Sequence, residues 1–324
     1  MDIMVMSPGR RVEIIQYLKQ AFGKDGGRVL TLDMSPYAPA LYEGDAYFVV
    51  DKDFDHLDNY VDEVITICKK EKVEAVITLI DPELSLLAHN RQRFLDEGIQ
   101  PIISDEEIVD ICFDKYEFYK LLNQEVSVVK TYNEYDMVSK AIQEGDIDFP
   151  LFAKQRCGSG SAGIGKIEDL TELVSYKNKR NYIYQPYVKG KEFGVDVYFD
   201  LLDGKIKSLF IKEKLAMRAG ETDKAISVYR EDIKELILKL EKFNFKGPID
   251  VDVFEDNEGN LYINEINPRF GGGYPHAYNS GVNFIENIYT NLQGNSIEKN
   301  IGRYKKDVIM LKYNEAKYLN EIIS

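Results

Sequence analysis

The first third of the chain alternates short apolar runs with longer segments in which apolar residues recur at helical spacing. The apolar runs predict β-strands at residues 3–6, 29–32, 47–50 and 73–80. After the first run, RVEIIQYLKQAF places Val12, Ile15 and Leu18 on one helical face, and further helices are predicted over 57–70 and after Pro82. Strands that alternate with helices in this way predict a parallel, doubly wound sheet.

The carboxyl ends of these strands form the predicted functional edge of the first region, because ligands of open α/β sheets bind beyond them. The loops concerned are residues 7–11, 33–35 and 81–83. Asp33 and Asp81 also fit simple turn or capping roles, and Asp81 directly before Pro82 is a candidate N-cap. Arg10 or Arg11 could pair with a substrate carboxylate at this edge, or be solvated at the start of a helix.

Two further regions follow the first. From Asp114, the pattern predicts a helix in DKYEFYKLL, a strand in VSVVKTY, a helix over 134–144 and a strand in FPLFAKQ. That last strand carries Lys154 into a glycine-rich loop. Residues 181–295 are predicted to be mostly strands, interrupted by one helix over 230–243. The last residues are expected to form one strand and a short helix.

The composition narrows the class of protein. The 324 residues are 44% hydrophobic, enough for two or three lobes with their own cores. MDIMVMSPGRR is too short an apolar run for a signal peptide, and no later segment reaches the roughly 20 apolar residues of a membrane helix. Three cysteines and three histidines are too few for a disulfide framework or a histidine-rich metal centre, so a reducing cytoplasm is expected. A formal charge of −14 argues against a nucleic-acid binder, because phosphate backbones require clustered cations.

The glycine-rich stretch CGSGSAGIGK fits three motifs to different degrees. Gly158, Gly160 and Gly163 match the dinucleotide fingerprint, but the extended GIGKI that follows is not the helix that this motif requires. A P-loop also fails, since Ile167 stands where a serine or threonine would hold magnesium. The remaining interpretations are a flap whose backbone N–H groups fold over phosphates, or an ordinary loop.

The stretch INEINPRFGGG ends a predicted strand with polar side chains. Alternation puts Glu265, Asn267 and Arg269 on one face, and Asp250 and Asp252 share a face on the neighbouring run. Oxygen ligands on adjacent strands suit Mg²⁺, which prefers carboxylates together with substrate phosphates. The predicted metal ligands are Asp252, Glu265 and Asn267, with Asp250 as the alternative aspartate. Arg269, one step further out, could bind a carboxylate or a transferring phosphoryl group.

Four motifs occur in the order found in ATP-grasp enzymes. They are Lys115 after an aspartate, Lys154 before the glycine-rich loop, YQPYVKGKEFGVD and INEINPR. The chain resembles the carbamoyl-phosphate-synthase-like branch over almost its whole length. This resemblance implies a mixed α/β and α+β fold, in which a Rossmann-like pre-ATP-grasp domain (1–112) precedes the small (113–188) and large (189–324) lobes of an ATP-grasp domain. Two departures are Pro186, where the family often has glutamate, and the absence of a glutaminase-like region, which argues against carbamoyl phosphate synthesis itself.

The resemblance also implies a set of contacts. The predicted nucleotide-binding residues are Lys115, Lys154, Gly160, Ser161, Gln185, Pro186, Tyr187, Val188, Glu192 and Lys214. The lysines would bind phosphates, the main chain of 185–188 the adenine edge, and Glu192 the ribose hydroxyls. The predicted catalytic residues are Arg269, Lys154 and Arg218. A solvated charged turn is the alternative for the basic run KEKLAMRAGETDKA, which contains Lys214 and Arg218. His276 is expected to be a hydrogen-bonding wall, and Cys157 incidental.

The function implied is an ATP- and Mg²⁺-dependent ligase that joins a small acid, such as an amino acid, to an amine through an acyl-phosphate. Mn²⁺ is included as a substitute ion and a homodimer as an allowed assembly. The partners expected are a small-molecule carboxylate and amine, without nucleic acid or membrane. The alternatives are an ATP-binding regulatory or assembly protein without turnover, and a small-molecule carboxylate kinase.

Overall fold

A computed structural model of the chain describes residues 1–53, 55–158 and 163–322. Its first sheet consists of β1 (Ile3–Met6), β2 (Val29–Asp33), β3 (Ala46–Val49), β4 (Ala75–Thr78) and β5 (Gln100–Pro101). The helices of this region are α1 (Val12–Phe22), α2 (Leu57–Glu71), α3 (Pro82–His89) and α4 (Arg91–Asp96), with 3₁₀ turns at Gly23–Asp25 and Pro39–Glu43. The strands are parallel in the order β3-β2-β1-β4-β5. Helices pack on both faces, which is why β1 reads as the unbroken apolar run IMVM. The predicted doubly wound sheet is confirmed.

The next region contains a small antiparallel sheet. Its elements are α5 (Glu106–Phe113), α6 (Lys115–Leu122), α7 (Tyr135–Gln143), β6 (Leu151–Gln155), β7 (Gly165–Ile167), α8 (Leu170–Val174) and β8 (Tyr182–Pro186), and the strand order is β7-β6-β8. Asp114 caps α6 by accepting hydrogen bonds from the backbone N–H groups of Tyr116 and Glu117. The strand predicted in VSVVKTY is wrong, because only single bridges form there, at Val128 and Tyr132.

A second, larger sheet dominates the rest of the chain. Its elements are β9 (Gly190–Phe199), β10 (Ile206–Arg218), β11 (Glu221–Val228), α9 (Glu231–Leu238), a 3₁₀ turn at Lys239–Lys242, β12 (Gly247–Asp256), β13 (Leu261–Asn267), α10 (Tyr274–Asn279), α11 (Phe284–Leu292), β14 (Asn300–Ile301) and β15 (Ile309–Leu311). The order is β13-β12-β9-β10-β11-β15, and β14 pairs with β10. The prediction missed α10 and α11, and the terminal helix it placed after β15 is wrong for the described residues up to 322.

One continuous core joins the first sheet to the large sheet. Ile3 and Val5 of β1 lie in the same buried cluster as Phe284 and Ile288 of α11. This helix therefore packs against both the first sheet and the large sheet. The carboxyl edge of the first sheet is thereby held against the large sheet. No helix in the described part of the chain is long and apolar enough to cross a membrane.

Candidate functional site

A cavity of about 870 Å³ lies where the three sheets meet. Asp81 beyond the first sheet, Lys154 of β6 and Asp252 of β12 all contribute to its walls. Ligand sites occupy roughly 300–1,000 Å³ and favour the carboxyl edge of a parallel sheet and the boundary between domains. The cavity is therefore the candidate site, and its volume lies at the upper end of that range.

One wall of the cavity is acidic. In the antiparallel pair of β12 and β13, Asp252 lies opposite Glu265 and Asp250 lies opposite Asn267. Side chains of directly opposed residues are neighbours on the same face of a sheet, and all four line the cavity. The structure thus brings together the predicted metal ligands Asp252, Glu265 and Asn267. The alternative aspartate, Asp250, lies beside them.

A β-bulge adds a residue that strict alternation would have placed on the other face. The register shifts after Asp252, so that Val253 pairs with Ile263 and Asn264 is left over. Asn264 lines the cavity, and its Oδ1 accepts a hydrogen bond of 3.1 Å from Lys154 Nζ. The amide thereby positions the lysine. The sequence pattern gave no signal for the bulge.

The acidic wall has the charge and the unused oxygens of a cation site. Burial raises the pKa of Glu265, and burial together with Asp252 raises the pKa of Asp250 to about 6. The carboxylates of Glu265 and Asp250 make no hydrogen bond within the described ranges of the chain. Buried carboxylates that repel one another and keep free lone pairs fit a divalent cation with oxygen ligands.

Two lysines face this wall, Lys154 from β6 of the small sheet and Lys115 from the start of α6. Lys115 Nζ donates a 2.7 Å hydrogen bond to the carbonyl of Gly158. Burial lowers the pKa of Lys154, the charge of Glu265 counteracts this, and the nearby Lys115 lowers it further. Two ammonium groups that repel each other across a cavity fit a polyanionic ligand such as a polyphosphate. The predicted contacts Gly160 and Ser161 lie outside the described residues.

Lys214 connects two predicted ligand-binding residues. Its Nζ lies 2.7 Å from Glu192 Oε1 and 2.6 Å from Asp252 Oδ1, and its side chain is 5% exposed. Burial alone would lower the pKa of Lys214, but Asp252 and Glu192 raise it above its ordinary value. The lysine therefore stays protonated and holds the two carboxylates at fixed positions along the cavity.

The segment that joins the small and large sheets lines the opposite end of the cavity. Gln185, Pro186, Tyr187 and Val188 all contribute to that wall. Gln185 is buried, and its Nε2 donates a 2.9 Å hydrogen bond to Thr131 Oγ1. This amide is therefore occupied in fixing the segment rather than exposed to a ligand.

Apolar side chains surround the segment 185–188. Val129, Phe152, Ile164 and Phe254 line this end of the cavity, and the Tyr187 ring stands edge-on to Phe152 at 5.4 Å. An apolar lining beside this segment suits a mostly apolar ring system such as a purine base.

Arg269 is engaged in an ion pair between the first and the large sheet. Its Nε and Nη2 donate to the two carboxylate oxygens of Asp81, at 2.7 and 2.8 Å, and its Nη1 donates to the Phe270 carbonyl. Asp81 makes no side-chain cap on α3, so the predicted N-cap role is wrong. The carboxylate instead forms a bidentate ion pair with the Arg269 guanidinium, and the remaining N–H groups of Arg269 are left for a ligand.

Arg218 and His276 do not line the cavity, whereas Cys157 does. Arg218 is exposed in the β10–β11 hairpin and is not among the lining residues, so its catalytic role stays a prediction. His276 is buried, its ring lies against Phe210, and its Nε2 donates to the Val308 carbonyl. Cys157 lines the cavity, but burial raises the pKa of its thiol, which does not suit a nucleophile.

The glycines after Arg269 allow charged side chains to approach the loop. A Cβ on Gly271 would lie 2.5 Å from the Asp250 carboxyl carbon, and one on Gly272 would lie 2.8 Å from Glu221 Cδ. The absence of side chains at Gly271 and Gly272 therefore leaves room for two acids. Glu221 lines the cavity and was not predicted from the sequence.

Two family models together match most of the chain. A family model described as an ATP-grasp domain matches residues 112–273, and one described as the PylC-like N-terminal domain matches residues 3–102. The chain belongs to the ATP-grasp family. The family and the fold class predicted from the sequence are confirmed.

Carbamoyl phosphate synthase large chains are similar to this chain in sequence. The carbamoyl phosphate synthase large chain of Clostridium botulinum (strain Loch Maree / Type A3) is 28% identical over 234 residues, which is 66% of this chain and 21% of that protein. A second one, from Clostridium acetobutylicum, is 23% identical over 252 residues, 68% of this chain and 22% of that protein. The match thus spans about a fifth of the length of these curated relatives.

Solved structures share the fold. The biotin carboxylase domain of Hydrogenobacter thermophilus 2-oxoglutarate carboxylase, solved with MgADP, ADP and bicarbonate, aligns with a TM-score of 0.75 and 17% identity, covering 95% of this chain and 73% of that one. N5-carboxyaminoimidazole synthetase from Staphylococcus aureus aligns with a TM-score of 0.72 and 19% identity, covering 92% and 78%. At these identities the likeness concerns the fold.

Proposed function

We propose that this protein is an ATP- and Mg²⁺-dependent carboxylate–amine ligase that acts on a small acid such as an amino acid. The observation that carries the proposal is the arrangement within one cavity. Lys115 and Lys154 face the acidic wall of Asp252, Glu265 and Asn267. Positive groups for phosphates and oxygen ligands for a cation are the two requirements of phosphoryl transfer, which depends on positioning and charge neutralisation.

Each wall has a role in this proposal. Asp252, Glu265 and Asn267 would hold Mg²⁺, which when bound neutralises charge on the β- and γ-phosphates. Lys115 and Lys154 bind the phosphates, and Arg269, fixed by Asp81, directs its remaining N–H groups at the transferring group. The same metal site could accept Mn²⁺, which also prefers oxygen ligands.

The end of the cavity lined by residues 185–188 is where the nucleoside part of ATP would bind. The main chain of residues 185–188 and the apolar side chains beside it hold the adenine, and Glu192, fixed by Lys214, binds the ribose hydroxyls. Gly160 and Ser161, which lie outside the described residues, stay predicted phosphate contacts. We further propose the lobe boundaries 1–112, 113–188 and 189–324, a homodimer and a cytoplasmic location, the last supported by free cysteines at 68, 112 and 157.

The reaction balances in two steps. A carboxylate oxygen of the acid attacks the γ-phosphorus, the bond to the β-phosphate oxygen breaks, and ADP leaves. The amine nitrogen then attacks the acyl carbon and loses a proton to solvent, and phosphate leaves with one oxygen that came from the acid. The products are an amide, ADP and phosphate.

The test is a substrate screen with purified protein, ATP and Mg²⁺. A panel of small acids and amines is assayed for ADP and phosphate, and the amide is identified by mass spectrometry. Glu265→Gln should abolish turnover, whereas Glu258→Gln, an exposed residue of the β12–β13 turn, should not. AMP and pyrophosphate as products would overturn the acyl-phosphate route. ADP release without an amide would favour the carboxylate kinase, and ATP binding without turnover the regulatory alternative.

A further inference from the structure

A guanidinium with unused hydrogen-bonding capacity lies at the edge of the cavity. Arg11 follows the loop after β1 and lines the cavity. Its Nη1 is buried and has no hydrogen-bond partner among the residues that the structure describes. Burial, assisted by the neighbouring Arg269, lowers the pKa of Arg11 to about 10. A buried donor without an acceptor costs free energy, so this position calls for an anion.

The groups around Arg11 indicate which anion fits. Arg269 already donates to both carboxylate oxygens of Asp81 and to the Phe270 carbonyl, and its remaining N–H groups are assigned above to the transferring group. Glu221 Oε1 is 3.9 Å from Arg11 Nη2, beyond hydrogen-bonding distance, while Oε2 of the same carboxylate is 3.3 Å from Lys312 Nζ. Glu221 therefore keeps one oxygen that accepts no hydrogen bond within the described ranges.

A second carboxylate lies close to this one. Asp250 also contributes to the charge around Arg11, and its carboxylate lies against Gly271 while that of Glu221 lies against Gly272. The lack of side chains in this loop lets both acids remain at the cavity wall. Arg11 is thus an unsatisfied cation flanked by two carboxylates that have acceptor capacity left.

This arrangement disfavours a phosphate group. Two carboxylates beside Arg11 would repel a multiply charged phosphate, and Lys115 and Lys154 already serve that purpose across the cavity. A ligand with a carboxylate and an ammonium on the same carbon satisfies both kinds of group. The carboxylate accepts from the Arg11 fork, and the ammonium donates to Glu221 and Asp250.

We propose, building on the ligase function above, that Arg11 and Glu221 form the subsite that selects an α-amino acid as the acid substrate. Arg11 binds its carboxylate beside the metal wall, and Glu221 binds its ammonium. Bicarbonate, which has no ammonium, is a poor ligand of this subsite, as are an α-hydroxy acid and an amino acid amide.

The test measures binding without turnover. Calorimetric titration in the presence of ADP and Mg²⁺ compares a panel of α-amino acids with the matching α-hydroxy acids, the amino acid amides and bicarbonate. Arg11→Ala should weaken binding of the preferred amino acid by about tenfold or more, because charge-assisted hydrogen bonds are lost. Arg303→Ala, at an exposed arginine that does not line the cavity, should leave it within about threefold on the same scale. Glu221→Gln should reduce the preference for the amino acid over its hydroxy analogue.

The outcomes separate the subsite from the ligase function. Equal binding by the Arg11→Ala and Arg303→Ala variants, or equal affinity for amino and hydroxy acids, would overturn the subsite. Bicarbonate-dependent ADP release without amino acid binding would also overturn it, while leaving the ligase function standing. Arg11-dependent amino acid binding without any ADP release would support the subsite and reject the ligase. Arg11→Lys, which keeps the charge but lacks the fork, replaces Arg11→Ala if that variant does not fold.

Discussion

The geometry of the ion pair between Asp81 and Arg269 allows its contribution to the free energy of unfolding to be calculated. The two N–O distances are 2.7 and 2.8 Å, and both side chains are 11% exposed. With an effective dielectric constant of about 20, opposite charges at this separation attract by roughly 6 kcal/mol. Several kcal/mol of desolvation per ion offset that attraction, but removing one partner leaves the other charge buried and costs about 3–5 kcal/mol.

The perturbation is Asp81→Asn, alone and combined with Arg269→Gln. We expect each single substitution to lower the free energy of unfolding by about 3 kcal/mol or more, because each leaves an uncompensated charge. The double variant should lose less than the sum of the two, by about 2–3 kcal/mol of coupling. Asp62→Asn removes the exposed partner of Arg93 and serves as the control, with an expected loss below about 1 kcal/mol.

The assay is urea-induced unfolding followed by circular dichroism. An unchanged dependence of stability on urea concentration shows that the variants unfold through the same transition. If the single substitutions cost no more than Asp62→Asn, the Asp81–Arg269 pair does not stabilise the fold. Additive effects, with coupling below about 0.5 kcal/mol, would lead to the same conclusion, because the two residues would then not stabilise each other.

Three further predictions concern activity and pH. Glu265→Gln should lower kcat by at least about 100-fold and raise the Mg²⁺ concentration needed for activity, since a metal ligand contributes several kcal/mol; normal kcat with an unchanged fold would contradict the metal assignment. Lys154→Ala should raise the Kd for ATP by about 10- to 100-fold, the loss of a charge-assisted hydrogen bond, and an unchanged Kd in calorimetry would remove it from the phosphate site. Burial lowers the pKa of His276 to about 4, so the unfolded chain binds this proton first and stability falls as pH drops below about 6.5. Between pH 8 and 5 this difference in pKa lowers the free energy of unfolding by about 2 kcal/mol. His276→Gln should remove this part of the pH dependence, whereas His56→Gln should not.

The sequence predicted the features that depend on local pattern. The first sheet follows from apolar runs separated by amphipathic helices, and the acidic wall follows from alternation in INEIN. Strand pairing then placed Asp252 opposite Glu265. These elements are strongly periodic, so tertiary packing had little to override.

The predictions that were wrong or missing depend on contacts between residues that are far apart in the sequence. VSVVKTY has strand-forming residues, but it makes only isolated bridges to Ile263 and Tyr184, because propensity alone does not supply a strand partner. Asp81 has the position of an N-cap, yet a guanidinium from a distant element takes its carboxylate. The bulge at Asn264 and the acid Glu221 depend on register and on a neighbouring loop, neither of which a single sequence displays.

Isotopic labelling of the acid shows whether its carboxylate attacks the γ-phosphorus. The acid that releases ADP in the substrate screen is labelled with ¹⁸O in its carboxylate and turned over with ATP, Mg²⁺ and the amine. If the acid is activated as an acyl-phosphate, each turnover transfers one labelled oxygen to inorganic phosphate, which mass spectrometry detects. Phosphate without the label, formed at the same rate as the amide, would show that the carboxylate never attacks the γ-phosphorus and would contradict the proposed reaction.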